Sequence, residues 1–161
     1  MKTCTTQFLI SGRFLAVFLA TYFGQASFCA APPDGGLYVS KVWVADNGDG
    51  TYKNPILFAD YSDPDVIRMG DDFFMTASSF NCVPGLPILH SRDLINWQIV
   101  NYALKDLKLD GVPEGFFNKP QHGRGVWAPC IRYHEGEYMI YWGDPDFGIY
   151  VVKTKDILGT W

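Results

Sequence analysis

A motif that returns constrains the fold of this chain more than any other feature. "DPDVIRMGDDFFMTAS" (63–78) aligns with "APCIRYHEGEYMIYW" (128–142), with Pro64 on Pro129 at an offset of 65 residues. At the same offset Val66 meets Ile131, Asp72 meets Glu137, Phe73 meets Tyr138 and Met75 meets Ile140. Further on, "SRDLINW" (91–97) matches "TKDILGTW" (154–161), Asp93 on Asp156 and Trp97 on Trp161. A sequence that repeats itself in this way is built from supersecondary units that stack on one another.

Each unit reads as a run of short strands. The apolar stretches are brief and are punctuated by Gly, Asp, Asn and Pro, the pattern of an all-β domain. In the first unit the strands fall at 65–68, 73–78, 86–90 and 97–100, with a polar turn at Gly70-Asp71-Asp72. In the second they fall at 130–133, 137–142 and 149–152, and a fourth should begin at Trp161, the last of the 161 residues. Four-stranded units of this length suggest propeller blades, which close in rings of typically about 4–8. The expectation is therefore the first two blades of a larger propeller, the second lacking its outer strand. A two-sheet β-sandwich is the alternative.

Ahead of the repeat stands an expected export signal, residues 1–30, and an N-terminal segment, 31–53. Lys2 and Arg13 precede or flank the apolar run "FLAVFLATYFG" (14–24), and "SFCAA" supplies small residues for cleavage. Eleven apolar residues are too few to span a bilayer, which takes ~20. The reading is a secreted or periplasmic protein, with lipid anchoring through Cys29 a lesser alternative because Phe28 suits that signal poorly. Without the leader, thirteen basic and seventeen acidic residues become eleven and seventeen, a net charge of −6. Nothing forms a basic patch, which excludes nucleic acid as a partner. Cys82 and Cys130 remain; they make no disulfide framework and no zinc pattern, and read as two small, half-buried residues.

Two carboxylates, Asp63 and Asp65, flank Pro64 just before an apolar strand. In an antiparallel meander the start of the first strand and the loop between strands two and three lie at the same end. That end gathers Asp63, 79–87, 123–129 and 142–148, while "MGDD", "HEGE" and the two Asp-containing corners go to the other. The second unit holds Ala128 where the first holds Asp63, so the blade itself does not require the acid. A turn stabilised by the Asp side chain is the structural alternative. Phe80, Trp127, Phe147, Asp144 and Asp146 share the end with Asp63, and aromatic faces interleaved with carboxylates suit carbohydrate. Asp65 is expected to support the turn. "DNGDGT" (46–51) lacks the acidic spacing and final Glu of a calcium loop and reads as a Gly-rich turn. His90, His122 and His134 show no metal spacing, and 101–125 is expected to be a long loop.

Together, "NPILFADYSDPDVIRMGDDFFMTASSF", "PGLPILHSRDLINW" and "GVWAPCIRYHEGEYMIYWGDPDFGIYVVKTKD" resemble glycoside hydrolase family 43, whose members include β-xylosidases, α-L-arabinofuranosidases and arabinanases. The resemblance covers 54–161 and implies part of a five-bladed β-propeller and an inverting glycosidase. It places the general base on Asp63 and sugar-lining residues at Phe80 and Trp127; Asp144 is added as a sugar contact on its position. The family's general acid is a Glu on a later blade, and an Asp on the third blade tunes it, so neither role falls on these residues. The implied partner is an arabinose- or xylose-containing oligo- or polysaccharide. No cofactor is called for, although a closed full-length propeller leaves open a central calcium ion. The isolated chain is expected to be inactive; the competing reading is a non-catalytic carbohydrate-binding β-domain or remnant.

Overall fold

Short strands joined by tight turns supply nearly all the regular structure in residues 42–161, the part that the computed structural model describes. The expected leader and residues 31–41 of the 31–53 segment lie outside those residues. The first unit forms β1 (Asp65–Met69), β2 (Asp72–Thr76), β3 (Gly85–Ser91) and β4 (Gln98–Leu104). The second forms β5 (Trp127–His134), β6 (Glu137–Asp144) and β7 (Gly148–Thr154), and one 3₁₀ turn, Phe116–Asn118, sits in the connection between them. Both sheets are antiparallel meanders, in the orders β1-β2-β3-β4 and β5-β6-β7.

The repeat is visible in the register. Val66 pairs with Met75 and Met75 with Leu89; in the second sheet Ile131 pairs with Ile140 and Ile140 with Val152. The corners repeat as well. Asp93 Oδ1 accepts the Ile95 and Asn96 amides at 2.8 and 2.7 Å, and Asp156 Oδ1 accepts the Leu158 amide at 3.0 Å. Each corner ends in a Trp whose indole donates back to it, Trp97 to Leu94 O and Trp161 to Ile157 O.

Which faces touch explains how the sheets stack. Phe74, Leu86 and Ile88 of the first sheet pack with Ile131, Ile140 and Trp142 of the second, all buried. Burial of side chains of this size is worth about 1.5–3 kcal/mol each. By the repeat, Ile131 and Ile140 are the counterparts of Val66 and Met75, which lie on the other face of the first sheet. So the second sheet meets the first with the face that the first turns away. This contact is head-to-tail, and such a contact propagates rather than closing on itself in pairs. It is the stacking of propeller blades and not the mutual packing of a sandwich. Ile149 and Val151, counterparts of the fully buried Leu86 and Ile88, are accordingly 83% and 44% exposed.

Two boundaries differ from the sequence reading by three residues or more. β4 runs on to Leu104, because Pro87 pairs with Tyr102 and Gly85 with Leu104, and because Ala103 and Leu104 are buried in the core. The long connection therefore begins at 105. β5 begins at Trp127, with an irregularity before Cys130 where Ala128 takes a left-handed backbone and Pro129 has no amide to donate.

Candidate active site

Asp63 lies two residues ahead of β1 and its carboxylate is exposed. Its backbone is left-handed, φ 49°, although Pro64 follows. Opposite it, two residues beyond β2, is Ser78, only 7% exposed. The Ser78 amide donates to Ser62 O at 2.9 Å, which carries the β1–β2 pairing past the end of both strands. Ser78 Oγ donates to Asp63 Oδ2 at 2.7 Å, and Ser62 Oγ adds a weaker bond to the same oxygen at 3.1 Å. The Ala128 amide, from the second sheet, donates to Ser78 Oγ at 2.8 Å. Oδ1 of Asp63 accepts no hydrogen bond from the described residues.

Phe80 and Val126 exchange both backbone hydrogen bonds, each at 3.0 Å, and so draw the β2–β3 loop onto the entry to β5. Phe80 is thereby set edge-on to Trp127, ring centroids 6.4 Å apart at 80°. The Trp127 indole donates to Gly123 O at 2.8 Å, and 45% of the residue stays exposed. Gly125 makes the approach possible: its φ is 92°, and any Cβ there would collide with the Phe80 carbonyl oxygen. Of six non-glycine residues with positive φ among the described residues, four are Asp63, Phe80, Leu86 and Ala128, all at this end of the strands. Such conformations cost on the order of 1–3 kcal/mol each and gather where a site needs a set geometry.

The structure thus brings Asp63, Phe80 and Trp127 to one end. It does not bring Asp144 to a surface. As the last residue of β6, on the face turned to the core, Asp144 is 3% exposed. Its Oδ1 accepts the Asp146 amide at 2.9 Å, and its buried Oδ2 has no partner among the described residues. It closes a turn, which corrects the expected sugar contact. Burial, with the charges of Asp144 and Asp110, pushes the Tyr150 phenol above its ordinary range; that hydroxyl donates to Asp110 O at 2.9 Å. Asp146 pairs with Arg124 at 3.0 Å, and Phe147 meets Phe116 of the long connection edge-on at 5.0 Å.

Asp65 also has a different task from the one expected. Its Oδ2 accepts the Ile131 amide at 2.7 Å and Arg132 at 2.6 Å, so it joins β1 to the free edge of β5. "DNGDGT" is a turn, as expected: Asp46 pairs with Tyr52, and Asp46 and Asp49 accept the Gly48 and Thr51 amides. Among the described residues no three His, Cys, Asp or Glu side chains are placed to hold a metal. Cys82 is exposed, Cys130 is half-buried, and both thiols are free.

Ser78 and Gly125 were missed by the sequence reading. Their signals were present but quiet. A small hydroxyl residue stands opposite the Asp63 position, where the second unit has Gly143, and a glycine immediately precedes "VWAP".

With this geometry in place, the similarity to known proteins can be placed on it. The family described as glycosyl hydrolases family 43 matches residues 52–161. The chain belongs to that family. A β-xylosidase of Formosa agariphila is 41% identical over 117 residues, 72% of this chain and 19% of that protein. A non-reducing end α-L-arabinofuranosidase of Bacteroides ovatus is 35% identical over 135 residues, covering 78% and 23%. The solved xylan β-1,4-xylosidase of Bacillus halodurans superposes with a TM-score of 0.56 at 33% identity, over 67% of this chain and 21% of that one. The family 43 chain described here therefore spans about a fifth of the length of the curated relatives it matches.

Proposed function

We propose that this chain carries the general base of an inverting glycosidase that removes arabinosyl or xylosyl groups from plant polysaccharide. The observation that carries the reading is Asp63: an exposed carboxylate at the aromatic end of both sheets, one oxygen bonded to Ser78 and the other without a partner among the described residues. Its family membership, and relatives named as xylosidase and arabinofuranosidase, support the sugar class.

In this reading Asp63 Oδ1 takes a proton from a water as that water attacks the anomeric carbon. The sugar ring lies against Trp127 and Phe80. Inversion also needs a carboxylic acid across the glycosidic bond, about 6.5–9.5 Å from the base, to protonate the leaving oxygen. The two groups need different environments, so that one is ionised while the other keeps its proton. Neither remaining acid at this end fits the second role, since Asp144 is buried and Asp146 is paired with Arg124. We assign that role to a Glu on a further blade of a five-bladed ring, outside these residues. The 161-residue chain by itself then hydrolyses nothing, and it is exported by its first thirty residues.

The experiment is to read the coding frame past the Trp161 codon and to assay the 161-residue chain on nitrophenyl arabinofuranoside and xyloside. The expected outcome is a frame encoding three more blades with the missing Glu, and no hydrolysis by the shorter chain. Inverting hydrolysis by the chain alone would overturn the division of the catalytic pair. A stop codon would overturn the glycosidase reading and leave sugar binding as the activity.

A further inference from the structure

We propose that Ser78 is the positioning residue for Asp63, fixing the carboxylate so that Oδ1 is the oxygen left to take the proton from water. The inference rests on the reading of Asp63 as the base. Three observations carry it.

The first is hydrogen-bond arithmetic. A serine hydroxyl has one proton to give and lone pairs to receive. The Ala128 amide can only donate, and it donates to Ser78 Oγ at 2.8 Å. An ionised carboxylate can only accept, so the single hydroxyl proton is committed to Asp63 Oδ2 at 2.7 Å. The hydroxyl has no freedom to turn elsewhere.

The second is rigidity. Ser78 is 7% exposed, its amide is bound to Ser62 O, and its Oγ is tied to the second sheet through Ala128. The other donor to Oδ2, Ser62 Oγ, belongs to a half-buried residue, makes the longer bond at 3.1 Å, and is adjacent in the chain to the acid that it contacts. Of the two, only Ser78 refers the carboxylate to both sheets.

The third is the repeat. At the offset of 65 the pair Asp63–Ser78 becomes Ala128–Gly143, so acid and hydroxyl are absent together from the second unit. The meander forms there without either. The hydroxyl therefore accompanies the carboxylate and is not a requirement of the blade.

The test needs a readout that works without the general acid. N-bromoacetyl-β-D-xylopyranosylamine supplies one: a carboxylate oxygen displaces bromide, forming a C–O ester bond as the C–Br bond breaks. The labelled peptide is identified by mass spectrometry on the whole 161-residue chain. Saturable labelling of Asp63, blocked by xylose, is expected for the wild type. Its absence would overturn the reading of Asp63 as a sugar-site carboxylate, and this inference with it. In Ser78→Ala the limiting rate should fall about tenfold, as misplacement of a reacting group does, with the half-saturating concentration unchanged. Ser78→Thr should restore most of the rate. Ser78→Gly, which installs the residue found in the second unit, repeats the test should the alanine variant fail to fold by near-ultraviolet circular dichroism. A folded variant without the hydroxyl that labels at the wild-type rate would overturn the inference while leaving Asp63 its role. So would loss of the fold in both variants, which would make the hydroxyl structural.

Discussion

Asp63 and Ala128 occupy equivalent places in the two units and share a left-handed backbone, with φ of 49° and 40°, but only the first carries a carboxylate. The conformation therefore belongs to the blade, and the acid does not. Asp tolerates this region better than alanine does, because its short side chain can hydrogen-bond locally. Yet the second unit reaches it with alanine. A side chain that the local geometry can do without is available for chemistry.

Gly125 is the residue on which the aromatic wall depends. Replacing it with alanine puts a methyl group against the Phe80 carbonyl at a φ of 92°, where a side chain is already strained. Gly125→Ala should cost about 2–4 kcal/mol, the sum of a steric shift and a left-handed penalty. Urea denaturation measures it. A variant as stable as the wild type would mean that the Phe80–Val126 bridge is not needed.

Asp65 and Arg132 form an ion pair whose two halves should weigh very differently. Removing Asp65 also strips the acceptor from the Ile131 amide, so Asp65→Ala should destabilise by about 1–3 kcal/mol. The Arg132 side chain is 54% exposed, and Arg132→Ala should cost no more than about 1 kcal/mol. Equal losses in paired denaturant melts would contradict the assignment of Asp65 as a backbone acceptor between the sheets.

Asp72 makes stability depend on acid. Hydrogen bonds from His90 and then Arg92, at 2.7 and 3.0 Å, hold its carboxyl below the usual value against the opposing effect of burial. Its folded pKa is thus lower than its unfolded one, near about 3.9. The stabilisation is fully present above that unfolded value and is lost as pH falls through the folded value. The stability gap between wild type and Asp72→Asn should therefore close below about pH 4. A gap that widens on acidification would reverse the sign.

Ile149 should govern solution behaviour. It stands 83% exposed on the second sheet's outer face, beside Val151, and β7 is an edge strand among the described residues. Exposed edges and apolar patches promote association. The 161-residue chain should self-associate with concentration, and Ile149→Lys should shift it toward monomer in sedimentation velocity. A wild-type chain that stays monomeric and melts sharply and reversibly would count against this.

The meander and the place of Asp63 were legible in the sequence because their causes are local. Alternating apolar residues and turn-forming Gly-Asp pairs act within one hairpin, so β1 to β3, β6 and β7 fall close to where the pattern puts them. A repeat then shows which residues exceed what a hairpin needs, and Asp63 stands out by its contrast with Ala128. What only the tertiary structure decided concerns atoms brought together from different units. Asp65 looked like a turn residue until β5 offered it the Ile131 amide. Ser78 looked like the end of a strand until it stood between Asp63 and Ala128. Asp144 had the composition of a binding residue, and its position on the core face of β6 buried it. Side-chain alternation names a face, but whether that face meets water, sugar or another sheet depends on which strands pack against it, and no stretch of sequence contains both partners.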